Sequence, residues 1–287
     1  MTFGKIIRGL AFPIAIATFG VLVLLERKRP LRRETESVAR RTGRNLLVAG
    51  TAAVALNLIE SPIARKAALL VERKNVGLLK LVKLPEWLEI SLAVILLDYT
   101  LYLWHVLTHR IPFLWRFHVV HHVDLDLDAS TALRFHFGEL IVSVGWRALQ
   151  IAAIGVTPKS LQTWQALLIP SILFHHSNVE MPEKLEKLLS KFIVTPRLHG
   201  IHHSVIRTET DSNWSSGLSL WDRLHGTFRE VSEHAGVKIG VPVHQDPQDL
   251  TIGKLLAFPL RPHRDCWQLP DKYLTDEPND QHNHSRV

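Results

Sequence analysis

The chain has 287 residues, 34 Lys and Arg against 27 Asp and Glu, and a formal net charge of +7. That length suits one large domain or two small ones, and no linker-like stretch divides it. The basic residues flank apolar blocks instead of interleaving with aromatics, which disfavours nucleic acid and points to anionic lipid headgroups, while the single cysteine, Cys266, excludes an intrachain disulfide.

Residues 9–25 carry no charge and lie between Arg8 and the run Glu26-Arg27-Lys28-Arg29. As a helix they cover about 25 Å, close to the hydrocarbon core of a bilayer. A polybasic run follows instead of a small-residue cleavage site, so a retained transmembrane helix is expected. Eight Arg or Lys residues occur from Arg27 to Arg44, which by the positive-inside rule places that loop in the cytoplasm. Residues 46–59 predict a short second span or half of a hairpin. Residues 64–84 mix lysines and arginines with leucines and valines, as in helices lying in the membrane interface or on an ordinary amphipathic surface.

Residues 88–107 form the next apolar stretch, interrupted by Glu89 and Asp98. An ionisable residue within a span normally faces the protein interior or a polar cavity. Asp98 precedes His105 by two helical turns, so it either orients that histidine or is capped by a neighbouring helix. Then come three histidine patterns: His105 and His109 at i,i+4; His118, His121 and His122 at i,i+3,i+4; and, about eighty residues later, His199, His202 and His203. On a helix each spacing puts the imidazoles on one face, where they can grip one metal ion or two adjacent ones.

The run from Asp124 to Asp128 reads as a loop. Residues 140–157 and 159–174 predict two apolar helices joined at Thr157-Pro158, a hairpin that returns the chain to its starting side. All the histidine patterns, with His136, His175 and His176, then emerge on the cytoplasmic face. Residues 183–194 place Leu185, Leu188, Leu189, Phe192 and Ile193 on one face of an amphipathic helix, lying on the membrane or roofing the histidines. Thr195-Pro196 predicts an N-cap and first-turn proline just before His199. Trp214, Trp221 and Trp267 are candidate interfacial anchors. His234, His244, His263, His282 and His284 read as surface residues, and the tail after Asp271 is too polar to pack.

The fold class expected is all-α: an integral membrane bundle of about four spanning or hairpin helices under a cytoplasmic histidine-rich helical cap. Its organisation is residues 1–84 as N-terminal membrane helices with basic or interfacial segments, 85–230 as the metal-binding domain, and 231–287 as a polar C-terminal tail. Eight histidines exceed the four ligands of a zinc site, so a two-metal centre is expected. Imidazole suits iron, copper, nickel and zinc alike. A site at the end of apolar helices favours a lipid substrate, and attack on an unactivated lipid C–H bond calls for iron and dioxygen. A metal-dependent lipid hydrolase, with Glu139 or Asp222 as base, and a non-enzymatic membrane protein binding haem or storing metal are the alternatives.

These three patterns, spread over apolar helices, resemble the fatty acid hydroxylase and sterol desaturase superfamily of membrane di-iron enzymes, over about residues 85–230. The resemblance implies an oxidoreductase that hydroxylates or desaturates a fatty-acyl or sterol lipid. It implies two iron ions, O2 as co-substrate and a separate electron donor of reductase, cytochrome or ferredoxin type, in a bacterial inner membrane or endoplasmic reticulum. It implies His105, His109, His118, His121, His122, His199, His202 and His203 as metal ligands, and names no catalytic residue beyond them. Asp222 lies in a Trp221-to-Thr227 stretch that looks like a segment of the family, where His225 replaces an aromatic residue and is not counted as a ligand. The run His175-His176-Ser177-Asn178 matches an H-S-N element, making His176 a candidate extra ligand and His175 a packing residue. His136, followed by Phe137 where the family has proline, is a candidate for lining the site.

Overall fold

Helix ends in this chain are set by proline, glycine and the residues just before them. The computed structural model describes residues 3–230, 237–261, 266 and 267, with side chains from Pro13 onward. Helix α1 spans Phe3–Lys28 and α2 Val38–Ala55. A π-helical turn at Leu56–Glu60 leads without a break into α3, Ser61–Lys74. Helix α4 (Glu86–Arg110) ends where Ile111 turns extended (φ −97°, ψ 114°), the conformation imposed on a residue preceding proline, and Pro112 opens α5, Pro112–His122. Helix α6 (Phe137–Ile154) closes on Gly155 in the left-handed region, and α7 (Pro158–His176) opens with the Thr157 side chain accepting from the Ser160 amide. Shorter helices follow: α8 Glu183–Leu189, α9 Pro196–His202, α10 Arg207–Thr210, α11 Leu220–Leu224 and α12 Ile252–Ala257. The described residues contain isolated bridges but no strand.

Among the described residues, three helical stretches are long and apolar enough to cross a membrane: Val38–Lys80 (43 residues), Glu86–Arg110 (25 residues) and Phe137–Ile154 (18 residues). The first departs from the expected short span followed by an interfacial segment. The π turn carries the helix past Glu60, and Ala64, Ala68 and Val71 are buried with Ile151 and Ile154 of α6 and Trp164 of α7. This contact continues beyond the helices, because Gly77 (φ 105°) and Gly155 (φ 86°) meet backbone to backbone, so closely that a Cβ on Gly77 would lie 2.3 Å from the Gly155 Cα.

The basic segment also departs from expectation. Arg32, Arg41 and Arg44 are buried, facing protein instead of lipid headgroups. Arg41 pairs with Asp124 at 3.2 Å and, closely, with Asp128; Arg134 reaches Asp124 at 3.0 Å and Arg44 at 3.4 Å. Asn45 and Thr131 each donate to the same carboxylate at 2.8 Å. Burial alone would raise the Asp124 carboxyl, but Arg134, Arg41 and Arg44 hold it below its ordinary value. The acidic run after α5 is thus an ion-paired clamp on α2. The exposed basic residues, Arg27, Lys28, Arg29, Arg33 and Arg40, lie at the same end as the clamp. The Leu31 amide donates to the Asn178 carbonyl, two residues past His176.

The amphipathic stretch at 183–194 is helical only to Leu189, and its apolar stripe faces outward: Leu185, Leu188 and Phe192 are exposed, while Glu186 is buried and paired with Arg197 at 2.6 Å. It does not roof the histidines. Trp214 and Trp221, expected at the interface, are buried in the core with Tyr102. Within the segment read as a polar tail, Val241, Leu250, Leu255, Phe258 and Cys266 join Trp115, Val119 and Val48 in a second core beside α5. His244 is half-buried, its ring 4.7 Å from that of Phe258. The readings for His234, His263, His282, His284 and the tail after Asp271 lie outside the described residues.

Removing the Asp124 carboxylate leaves buried guanidinium groups without their partner, so Asp124→Ala is expected to destabilise the protein by about 3–5 kcal/mol. The exposed Arg33→Ala change should cost at most about 0.5 kcal/mol. Thermal unfolding of both variants in detergent measures the difference; equal melting temperatures would dismiss the clamp.

Candidate metal centre

The break at Ile111-Pro112 folds α5 back so that its histidines face those at the end of α4. Helix α9 then brings in a third set, and α7 ends beside them. The result is two groups of buried or half-buried imidazoles. One contains His105, His109, His118, His122 and His202; the other contains His121, His176, His199 and His203. Within each group the available ring nitrogens all lie within 4.8 Å of one another. All eight motif histidines are in these groups, together with His176.

Hydrogen bonds aim several rings. His105 donates from Nδ1 to the Trp214 carbonyl at 2.7 Å, His202 to the Ser212 carbonyl at 2.9 Å and His176 to the Ile172 carbonyl at 2.8 Å. A carbonyl can only accept, so the proton is on Nδ1 and each Nε2 presents a lone pair. His118 Nδ1 likewise meets Glu139 Oε1 at 3.0 Å. In the first group the Nε2 atoms of His105, His109, His118, His122 and His202 are all buried without a protein partner. Leaving one such atom unpaired costs about 1–3 kcal/mol. Five in one shell fit a cation much better than a purely structural packing. In the second group Nε2 of His176 approaches that of His121 at 2.9 Å and that of His199 at 3.0 Å, and His203 reaches His199 at 3.2 Å. Nitrogen lone pairs converging at such distances are the donor set of a soft or borderline metal. Phe135 lies flat on His121 at 4.7 Å, and Trp115 packs 4.9 Å from His109 and 5.4 Å from His122, fixing ring planes and keeping water out.

Burial, reinforced by repulsion among neighbouring rings, pushes the His121, His122, His199, His202 and His203 imidazoles well below their ordinary pKa. They are neutral at physiological pH, the form a metal requires.

The other sequence candidates fall elsewhere. Asp98 does not reach His105; it accepts from the Leu218 amide at 3.0 Å and from Trp221 Nε1 at 2.7 Å, so the capped-carboxylate reading holds. Gly217 makes this close approach feasible, since a Cβ there would sit 2.4 Å from Asp98 Oδ1. Asp222 accepts from the Trp214 and Ser215 amides, each at 2.9 Å, and from Thr227 Oγ1 at 2.7 Å. Together Asp98 and Asp222 set the strap at 212–222, whose carbonyls aim His105 and His202. His136 is outside the centre: Nδ1 accepts from the Gly138 amide at 2.9 Å as the α6 N-cap and Nε2 donates to the Leu256 carbonyl at 3.1 Å, so neither nitrogen is available to a metal. His175 packs on His199, ring centroids 4.1 Å apart, and His225 meets the Tyr99 hydroxyl at 3.2 Å, away from both groups.

Glu139, a candidate base by sequence, orients His118 instead. Its sequence signal is position: an acidic side chain in the first turn of an apolar helix. A cavity of about 440 Å³ opens from the histidines between the apolar helices, lined by His105, His118, His121, His176 and His199 at one end and by Leu101, Leu168 and Ile172 along its walls.

Residues 90–227 match the fatty acid hydroxylase family. This part of the chain is similar to that family. An ornithine lipid hydroxylase of Rhizobium tropici is 31% identical over 159 residues, 55% of this chain and 46% of that protein. Mouse cholesterol 25-hydroxylase is 26% identical over 145 residues (50% and 47%), and human alkylglycerol monooxygenase 27% identical over 148 residues (51% and 32%). The chain thus spans half or less of the length of these relatives. No solved structure matches it. The matched stretch holds every histidine of both groups, with Glu139, Asp98 and Asp222.

The pH dependence of this histidine centre follows from its neutral imidazoles. Below about pH 6.5, the ordinary histidine value, the unfolded chain takes up protons that the folded one refuses, so stability is present above that pH and lost below it. Protons also compete with metal for the same lone pairs. Metal-loaded protein dialysed at about pH 7.5 should keep its metal and at about pH 5 lose it, with a falling melting temperature. Glu139→Ala should weaken metal binding by about 10–100-fold, as loss of a ligand-orienting carboxylate does elsewhere. Chelator competition measures this, and unchanged affinity would remove Glu139 from the centre.

Proposed function

We propose that the protein is a membrane-bound di-iron oxygenase that hydroxylates or desaturates a lipid. One observation carries the reading: two adjacent groups of buried histidine nitrogens close one end of an apolar cavity between membrane-length helices. The eight motif histidines hold the metals, with His176 as a ninth ligand. Bound there, two iron ions would supply the activation of dioxygen that attack on an unactivated C–H bond demands. The chain's own part is positional. Glu139, Trp214 and Ser212 aim His118, His105 and His202, Phe135 and Trp115 exclude water, and the cavity walls present an alkyl segment to the histidines. The names of the relatives, which act on an ornithine lipid, cholesterol and alkylglycerols, favour a lipid substrate here.

The bundle spans the membrane through the rod from α2 to α3 and through α4 and α6, with α1 and the α6–α7 hairpin completing it. The exposed basic residues at the histidine end favour a cytoplasmic site. The outward stripe of α8 rests on the lipid surface. Electrons come from a separate donor.

The hydrolase alternative would need a free carboxylate base. Asp222 uses both oxygens on the strap, whereas Glu139 has Oε2 without a partner against the cavity, so metal identity decides between the two readings. Protein made in iron-supplemented cells should carry about two irons per chain, one for each group of four or five ligands. A His118/His121/His122 triple alanine variant should lose them. His121→Ala should abolish lipid oxidation while still inserting in the membrane. Persistent zinc under iron supplementation would favour hydrolysis, and retained oxidation in His121→Ala would overturn the assigned site.

A further inference from the structure

The cavity has a second polar feature, inside the membrane-length helices and away from the histidines. Glu60 lies in the π-helical turn near the middle of the Val38–Lys80 stretch and is buried; Arg147 lies in α6. Arg147 Nε donates to Glu60 Oε1 at 3.2 Å and NH1 donates to Gln150 Oε1 at 2.9 Å, while the guanidinium lies 4.6 Å over the Trp164 ring. Glu60, Arg147 and Trp164 all line the cavity.

Helix register gives the separation from the metal end. On α6, Glu139, Ser143 and Arg147 follow one another at i,i+4,i+8 along the cavity wall, so Arg147 stands about 12 Å along the axis from the residue that holds His118. On α7, Trp164, Leu168, Ile172 and His176 line the same cavity, and Trp164 is about 18 Å along the axis from His176. The cavity therefore has a histidine end, a mainly apolar middle in which the Ser143 hydroxyl is spent on the Leu140 carbonyl, and a polar far end.

An ion pair that only stapled α6 to the rod would not explain its surroundings. Two N–H donors beside it, Trp164 Nε1 and Gln150 Nε2, are buried without an acceptor. The π turn is independent of these side chains: it presents Leu56 and Glu60 to the cavity, and such turns gather at functional sites. Ionisable residues at membrane depth likewise mark binding sites more often than scaffolding. Because Glu60 balances Arg147, a carboxylate or phosphate would bring an uncompensated charge into a region of low dielectric.

We propose that the far end of the cavity binds an uncharged oxygen of the lipid, a hydroxyl or carbonyl, which accepts from Trp164 Nε1, and so sets which carbon lies at the histidines. This deepens the lipid-oxygenase reading and rests on it for the meaning of the histidine end. The binding itself needs no metal.

The test is therefore a binding measurement on the purified full chain in detergent. A photoactivatable long-chain alcohol is crosslinked to the protein and competed with hexadecanol, hexadecane or hexadecanoate, and the labelled peptides are quantified by mass spectrometry. Hexadecanol should compete about five- to tenfold better than either other ligand, the worth of one buried hydrogen bond. Trp164→Phe, which keeps a ring under Arg147 and removes the N–H, should abolish that preference without weakening hexadecane. Glu60→Gln should raise competition by hexadecanoate. Equal competition by all three ligands, or full alcohol preference in Trp164→Phe, would overturn the proposal. Failure of the iron analysis would leave this result standing, and failure here would leave the metal assignment untouched.

Discussion

Each histidine that is hydrogen-bonded at one nitrogen is thereby aimed with the other. A carbonyl on Nδ1 fixes the tautomer and the ring plane, so the Nε2 lone pair points where the fold sends it. His105, His176 and His202 are held in this way by backbone and His118 by Glu139. Gathering nine imidazoles in a buried volume is unfavourable unless they remain neutral and their lone pairs find a cation. The proline break between α4 and α5, the strap over His105 and the capped start of α9 all serve to meet that condition.

The strap connects the histidines to carboxylates that touch none of them. Asp222 binds the amides of Trp214 and Ser215, Trp214 offers its carbonyl to His105, and Asp98 holds the next turn of the same segment through Leu218 and Trp221. On the opposite side Asp124, two residues after His122, is fixed by three arginines and an asparagine from outside the histidine segment. A charged network of this kind is weak as a source of stability, because desolvation offsets most of its attraction. Its use is geometric: the end of α5 is held against α2 in one arrangement.

Much of this was legible in the residues. The three histidine spacings were visible because helical periodicity is local, and Thr157-Pro158 and Thr195-Pro196 marked element ends by the same local rules. What could not be read was pairing between distant segments. Asp98 is two turns from His105, a spacing that suggests contact, yet it faces a loop more than a hundred residues away. Arg41 and Arg44 looked like headgroup ligands because a basic run by itself cannot reveal that an acidic run eighty residues on will bury it, and Arg32 because nothing near it in sequence marks Pro196 and Gly200 as its neighbours. His136 resembled a ligand in composition, but a residue just before a helix has a competing task, capping, that only the helix start exposes. The π turn left no sequence mark, so the rod through Glu60 was divided in two.

The molecule places its buried charges by two different physical rules. Around Asp124, Arg41 and Arg44 from the start of α2 converge with Arg134 on one anion, and both oxygens of that carboxylate are engaged. Midway along the membrane-length helices, at Glu60 and Arg147, a single pair is balanced in charge and lines a cavity, with Trp164 Nε1 and Gln150 Nε2 beside it lacking an acceptor. Closing such a site with apolar side chains would have been the less costly arrangement. That it stays polar, two turns of α6 from Glu139, is what the proposed ruler for an amphiphile rests on: a polar anchor at one end of the cavity and the histidines at the other.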